Sequence, residues 1–187
     1  MDYAILNFIR AYLTCDFLDM VMPVFTRLCD KGIFPILVGL ALLIFKKTRR
    51  AGMVVLGAIA VGGLLCNLCL KPLVARARPF AGMEDVFLLI APPSDYSFPS
   101  GHTAAAFEFA FGLSRLGRRW AAVGYTFALL MGFSRLYLYV HFPTDVLAGA
   151  AVGTLAALIA CGLLRLLAAR WSALDRLAPP RKKNSSL

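Results

Sequence analysis

The sequence predicts an all-α fold: a polytopic membrane bundle of about five transmembrane helices, preceded by amphipathic helices lying at the membrane interface. Three observations predict it. The chain is 60% hydrophobic with a mean hydropathy of +0.74, where a soluble domain is roughly 45–50% apolar. The apolar excess falls in long runs. Short basic clusters, Lys46-Lys47-Thr48-Arg49-Arg50 and Arg115-Leu116-Gly117-Arg118-Arg119, punctuate those runs.

Residues 3–30 carry apolar side chains at helical spacing with Asp16, Asp19, Arg27 and Asp30 interspersed. No uncharged run there approaches the ~20 residues a span needs. One or two amphipathic helices are expected over 1–31, broken near Thr14–Asp16. They lie at the interface, pack on the bundle, or do both. The first span covers Gly32–Phe45 and is short; the second covers Gly52–Leu70, where Gly57, Gly62 and Gly63 allow close helix contact. A polar, proline-rich loop follows from Lys71 to Ser100. Spans three and four begin at Gly101 and Trp120, and the fifth runs from Thr144 to Leu167 after Pro143. Residues 1–170 thus read as a single membrane domain and 171–187 as a disordered basic tail. No cleavable leader is expected.

The two short loops hold seven basic residues and no acid, and the segment from Arg165 onward adds six more. With five spans these regions share one side. The excess of Lys and Arg makes that side cytoplasmic, with the C-terminus there and the loop 71–100 outside. The net charge of +10 therefore reports topology and an anionic substrate rather than nucleic acid, which would require a solvated basic face. The bilayer is the expected partner. The five cysteines include Cys66-x-x-Cys69, which lies in an apolar run with no histidine near it and reads as packing rather than as a metal site.

Polar residues gather at the outer helix ends. Lys71 ends span two, His102 begins span three, Arg135 and His141 end span four, and Asp145 begins span five. Singly each has an ordinary reading, as a snorkelling lysine or a helix cap. Together, Lys71, Arg78 and Arg135 are cations crowded at a membrane face, which is costly unless an anion sits among them. A phosphoryl group fits, since its oxygens take charge-assisted bonds from guanidinium forks and helix N-terminal N–H groups. Gly101 lets backbone approach, Ser100 offers a hydroxyl, and two histidines supply nucleophile and acid–base. The spacing from His141 to Asp145 lets the carboxylate hold one imidazole nitrogen and leave the other free. Glu108 lies about 9 Å below His102 by helical rise and is a candidate accessory residue at membrane depth.

The pattern Lys71-x6-Arg78-Pro79, then Pro99-Ser100-Gly101-His102, then Ser134-Arg135-x5-His141-x3-Asp145 resembles the type 2 phosphatidic-acid phosphatase superfamily. All three motifs stand complete and in order over residues 71–145. The resemblance implies a membrane lipid phosphatase that needs no metal or other cofactor. His141 is then the nucleophile that becomes phosphohistidine, Asp145 orients it, and His102 is general acid and base. Lys71, Arg78, Ser100, Gly101 and Arg135 bind phosphate. With the outward face that the lysine and arginine distribution gives, it further implies a lipid phosphate substrate in the outer leaflet of a bacterial-type cytoplasmic membrane, with undecaprenyl diphosphate first and phosphatidylglycerophosphate or phosphatidic acid as alternatives. A vanadate-dependent oxidase sharing the site is disfavoured by the spans. A transporter is disfavoured because these residues sit at helix ends, whereas transport sites lie near the midplane.

Overall fold

A computed structural model of the chain describes residues 1–83 and 87–177, with side chains as far as Arg170. Among the described residues the regular structure is entirely helical. In order these are α1 (Asp2–Tyr12), α2 (Asp16–Thr26), a 3-10 turn (Arg27–Gly32), α3 (Ile33–Ile44) and α4 (Arg49–Gly63). A π-helical segment (Leu64–Leu70) leads into the short α5 (Lys71–Val74), followed by α6 (Gly101–Ser114), α7 (Arg118–Tyr137) and α8 (Pro143–Leu177).

The N-terminal segment forms two helices that break over residues 13–15, where the sequence places the break. Both pack on the end of the bundle that carries the α7–α8 turn. Leu6 is buried against Tyr139 and Phe142, while Ile9 and Met22 pack with Tyr137, Leu138 and Val140. The Tyr139 hydroxyl donates to Asn7 Oδ1 at 3.0 Å, which fixes α1 over that turn.

The central helix is α6, which packs on α4, α7 and α8. Its buried set runs round the whole circumference, from Thr103, Ala104 and Ala106 to Phe109, Ala110, Gly112 and Leu113. A helix apolar on all sides is an interior helix, and small residues let its neighbours close on it. The α6–α8 contact brings backbone close to backbone beside the site. A Cβ on Gly149 would lie 2.5 Å from the Ser100 carbonyl oxygen, and one on Gly153 would lie 2.4 Å from that of Ala104. Gly149→Ala is therefore expected to lower stability by about 1–3 kcal/mol and to reduce activity with it, because α8 carries Asp145. Thermal unfolding and turnover in detergent check this; an unchanged melting temperature would show that the two helices have room to part.

Large apolar side chains face outward along α8, including Leu147, Leu155, Leu158, Leu163 and Leu166. Two helical stretches, Arg49–Val74 and Pro143–Arg170, are long and apolar enough to cross a membrane, with mean hydropathies of 2.3 and 2.2. The other expected spans are less clear by that measure. α3 has 12 residues and α6 has 14, or about 18 and 21 Å at 1.5 Å per residue, against a hydrocarbon core of about 30 Å.

Two features depart from the sequence reading. The fifth helix does not end at Leu167 but continues to Leu177, so the first part of the segment expected to be disordered is helical. Arg170 and Arg176 do not break it, since arginine is a good helix former. The remainder of that tail, 178–187, lies outside the described residues. The second expected span is also not uniform, because its C-terminal end winds as a π-helix. That winding has a use: Cys66 and Lys71, five residues apart, both line the cavity described next, with Asn67 beside them.

Candidate active site

A cavity of about 660 Å³ opens where α4, α6 and the α7–α8 turn meet the proline-rich loop. Lys71, Arg78, Gly101, His102, Glu108, Arg135 and His141 all line it. Seven of the nine sequence-predicted residues are thus brought together, from four separate stretches of chain. Asp145 and Ser100 lie behind its wall, both fully buried.

His141 sits in the turn between α7 and α8 and is 2% exposed. Its Nε2 lies 3.3 Å from an Arg78 nitrogen on the cavity side. Its Nδ1 faces inward, 3.6 Å from Asp145 Oδ2 and 3.4 Å from the Ser97 hydroxyl. The i,i+4 spacing therefore produces the expected pair, but as a charge contact too long for a direct hydrogen bond. Ser97 fills the gap, donating to Asp145 Oδ2 at 2.5 Å. That carboxylate is otherwise fully engaged. The Phe142 N–H donates to Oδ2 at 2.8 Å and Arg76 donates to Oδ1 at 2.7 Å. Arg76 in turn bonds Asp2 at 2.8 Å and lies 4.0 Å over the Phe142 ring.

Burial drives the His141 imidazole well below the ordinary histidine range. Asp145 pulls the other way, and the charges of Arg135 and Arg78 add to the depression. The ring is therefore neutral throughout the physiological range, the state in which Nε2 carries a free lone pair.

Arg78 is a node. Its Nε donates to the Asp95 carbonyl at 2.8 Å, one terminal nitrogen to the Val140 carbonyl at 2.7 Å, and the other to Asp95 Oδ1 at 2.6 Å. Lys71 bonds the second oxygen of the same carboxylate. Arg135 donates to the Thr26 hydroxyl at 2.6 Å, while its Nε is buried without a partner. His102 Nε2 lies 2.8 Å from Asp30 Oδ1, within hydrogen-bond reach of that carboxylate.

Ser100 stands behind the cavity wall rather than on its lining. Its hydroxyl accepts from the Thr103 N–H at 3.4 Å and from the Thr103 hydroxyl at 2.9 Å, and its own N–H donates to the Asp145 carbonyl at 3.0 Å. It is the N-cap of α6, a position whose side-chain oxygen turns back onto the first helical turn. The next residue, Gly101, borders the cavity, and a Cβ there would stand 3.9 Å from the Lys71 ammonium. The first N–H groups of α6 have no intrahelical partner and carry the positive end of the helix dipole.

Sequence reasoning missed Asp30, Thr26, Arg76, Asp95 and Ser97. Asp30 and Thr26 come from the amphipathic segment, whose expected packing on the bundle names no particular residue as a partner of the site. Arg76 and Ser97 flank recognised motifs, but a polar residue in a polar loop carries no signal of its own. The cysteines are all free, with Cys66 buried and Cys69 exposed. No cluster of three or more metal-ligating side chains occurs among the described residues.

An all-helical bundle that gathers three cations, a helix N-terminus and two imidazoles round one cavity defines an anion-binding helical membrane-type fold. The chain belongs to the PAP2 superfamily, whose family model matches residues 51–167. It is 36% identical over 114 residues to an undecaprenyl-diphosphatase of Sulfolobus acidocaldarius. That match takes in 60% of this chain and 55% of the archaeal protein, little more than half of that relative's length. Two solved structures share the fold. The crystal structure of Aquifex aeolicus LpxE has a TM-score of 0.74 at 32% identity and covers 85% of this chain and 93% of that one. The first transmembrane PAP2-type phosphatidylglycerolphosphate phosphatase from Bacillus subtilis has a TM-score of 0.71 at 28% identity, covering 88% and 84%.

Proposed function

We propose that this chain is an integral-membrane lipid phosphatase that removes phosphate from a lipid phosphate or diphosphate through a phosphohistidine intermediate, with undecaprenyl diphosphate converted to undecaprenyl phosphate. The observation that carries the proposal is His141: a buried, neutral imidazole that turns Nε2 to a cavity shared with Lys71, Arg78 and Arg135.

Chemistry follows from the geometry. Nε2 attacks phosphorus as the bond to the leaving oxygen breaks, and protonated His102 gives that oxygen its proton. Asp145, through Ser97, takes up the positive charge that grows on the ring. His102, now neutral, removes a proton from water as that water attacks the phosphohistidine, releasing inorganic phosphate and restoring both imidazoles. Lys71, Arg78, Arg135 and the Gly101 N–H stabilise the charge on the transferring oxygens, the largest contribution expected for phosphoryl transfer. The arginines and lysine supply the charge that a metal would supply elsewhere, which supports a metal-independent reaction.

The reading extends to placement. Five spans (α3, α4 with α5, α6, α7 and α8) form one domain in a bacterial-type cytoplasmic membrane. The site faces outward, the C-terminus is cytoplasmic, and α1 and α2 lie at the outer interface. The outward face of α8 and the distribution of lysine and arginine support this. The archaeal undecaprenyl-diphosphatase supports the substrate, and the Bacillus neighbour makes phosphatidylglycerophosphate the comparison to run beside it.

The deciding assay offers the purified chain undecaprenyl diphosphate, phosphatidylglycerophosphate and phosphatidic acid in parallel, with EDTA present. The expected result is phosphate release at undiminished rate, fastest from undecaprenyl diphosphate. Loss of all activity on chelation would overturn the metal-free route, and preference for a glycerolipid would overturn the substrate.

Glu108 completes the cavity from below as an accessory residue. It is 2% exposed, its Oε1 has no partner, and it rests against Gly62, where a Cβ would come within 1.7 Å of that oxygen. A buried carboxyl group left unpaired is costly unless used. Glu108→Ala is expected to lower kcat/KM about tenfold, the worth of one hydrogen bond made to the bound headgroup, while the melting temperature changes little. Wild-type turnover in the folded variant would remove the role.

A further inference from the structure

The two cations assigned to the phosphoryl group already hold an anion of the protein's own. Asp95 lies on the loop before α6, three residues after Pro92, and places one carboxylate oxygen 2.6 Å from Arg78 and the other on Lys71. Its backbone carbonyl takes a third bond from Arg78 at 2.8 Å. The partners differ in freedom. The Arg78 side chain is 5% exposed and that of Lys71 is 12%, whereas that of Asp95 is 50%. The cations are built in, and the carboxylate stands at the rim, free to swing into water.

We propose that Asp95 is a specificity-determining residue: it competes for Lys71 and Arg78, so that a headgroup with two negative charges takes them and a singly charged one does not. The proposal rests on the reading of Lys71 and Arg78 as phosphate ligands. A phosphomonoester, or the terminal phosphate of a diphosphate, brings two charges and three free oxygens. A phosphodiester headgroup brings one charge and two free oxygens. Exchanging Asp95 for a phosphodiester therefore replaces one single negative charge by another, with no Coulombic gain, whereas a dianion gains a further charge interaction with each cation. Arg135, whose Nε is unpartnered and which has no bond to Asp95, is available to the incoming group from the start. Burial opposes ionisation of Asp95, but Lys71 and Arg78 outweigh it and hold the group at about 2, so the competitor stays charged at every working pH. The purpose is set by the surroundings: in an anionic bilayer phosphodiester lipids far outnumber any lipid monophosphate.

Titration calorimetry of the full chain in detergent with inorganic phosphate tests this directly, in wild type, Asp95→Asn, Asp95→Ala and Arg78→Met. Both Asp95 variants are expected to bind phosphate about tenfold more tightly, the worth of one charged hydrogen bond. Phosphatidylglycerol micelles are expected to compete with phosphate in those variants and not in wild type. Unchanged or weaker phosphate binding in both variants would overturn the proposal and make Asp95 a brace for the two cations. Equal binding by wild type and Arg78→Met, or none by any protein, would instead overturn the phosphate seat, and the proposal with it.

Discussion

Replacing His141 with alanine is expected to lower phosphate release by at least about four orders of magnitude, the scale seen when a covalent nucleophile is removed. The His141 Nε2 stands 3.3 Å from the Arg78 guanidinium on the cavity side. His102 lines the same cavity but pairs with Asp30, at 2.8 Å, rather than with Arg78. The two histidines therefore separate experimentally. With a phosphate-labelled substrate and rapid quenching in alkali, wild type retains protein-bound label that acid releases, as a phosphorus–nitrogen bond requires. His141→Ala retains none. His102→Ala still forms the adduct from an aryl phosphate, whose leaving group needs no proton, and then accumulates it because water is no longer activated. His141 is 2% exposed, so His141→Gln, closer in volume, guards against simple loss of folding. Phosphate release surviving in either folded variant would remove the nucleophile from this residue.

The cationic ring was legible in the sequence because charge inside an apolar chain is conspicuous. Lys71, Arg135 and His141 stand at the ends of hydrophobic runs, where each would be expensive without a function, and the Pro-Ser-Gly turn marks a helix start. The helix order was legible for the same reason, since period and punctuation act locally. What escaped, Asp145 apart, was the set of partners that hold the cations and the histidines. Asp95 and Ser97 sit in a loop where polar residues are ordinary. Asp30 and Thr26 come from a segment more than seventy residues before His102 and Arg135 in sequence. Only the packing of α1 and α2 over the α7–α8 turn brings them near, and such distant pairing has no periodic signature. Ser100 shows the converse ambiguity. A hydroxyl beside a glycine at a helix start reads equally as ligand or as cap, and the structure shows it as the cap of α6, accepting from Thr103. The extension of α8 to Leu177 likewise reflects helix propensity in a stretch whose charges suggested only solvent.

Asp145→Asn is expected to cost about 10³ to 10⁴ in kcat with little change in KM, the pattern of an interaction made only in the transition state. Two effects combine. The carboxylate opposite His141 Nδ1 favours the tautomer that leaves Nε2 unprotonated, and it compensates the ring's positive charge as the phosphorus–nitrogen bond forms. An amide does neither. Asp145 also accepts from Ser97 and the Phe142 N–H through Oδ2 and from Arg76 through Oδ1. An asparagine can offer one oxygen to these donors but must turn its NH₂ toward the rest, and Arg76 loses one of its two carboxylate partners. A structural cost is therefore expected as well, and Arg76→Met measures it separately, because that variant loosens the turn while leaving the carboxylate beside His141. The expected ordering is a small loss for Arg76→Met, a larger one for Ser97→Ala, which removes the hydroxyl between ring and carboxylate, and the largest for Asp145→Asn. Thermal unfolding should rank Arg76→Met and Asp145→Asn together while kcat separates them by orders of magnitude. Were Asp145→Asn to raise KM and spare kcat, the carboxylate would be a brace for the α7–α8 turn, and the charge on the attacking imidazole would have to be balanced by the phosphoryl group alone.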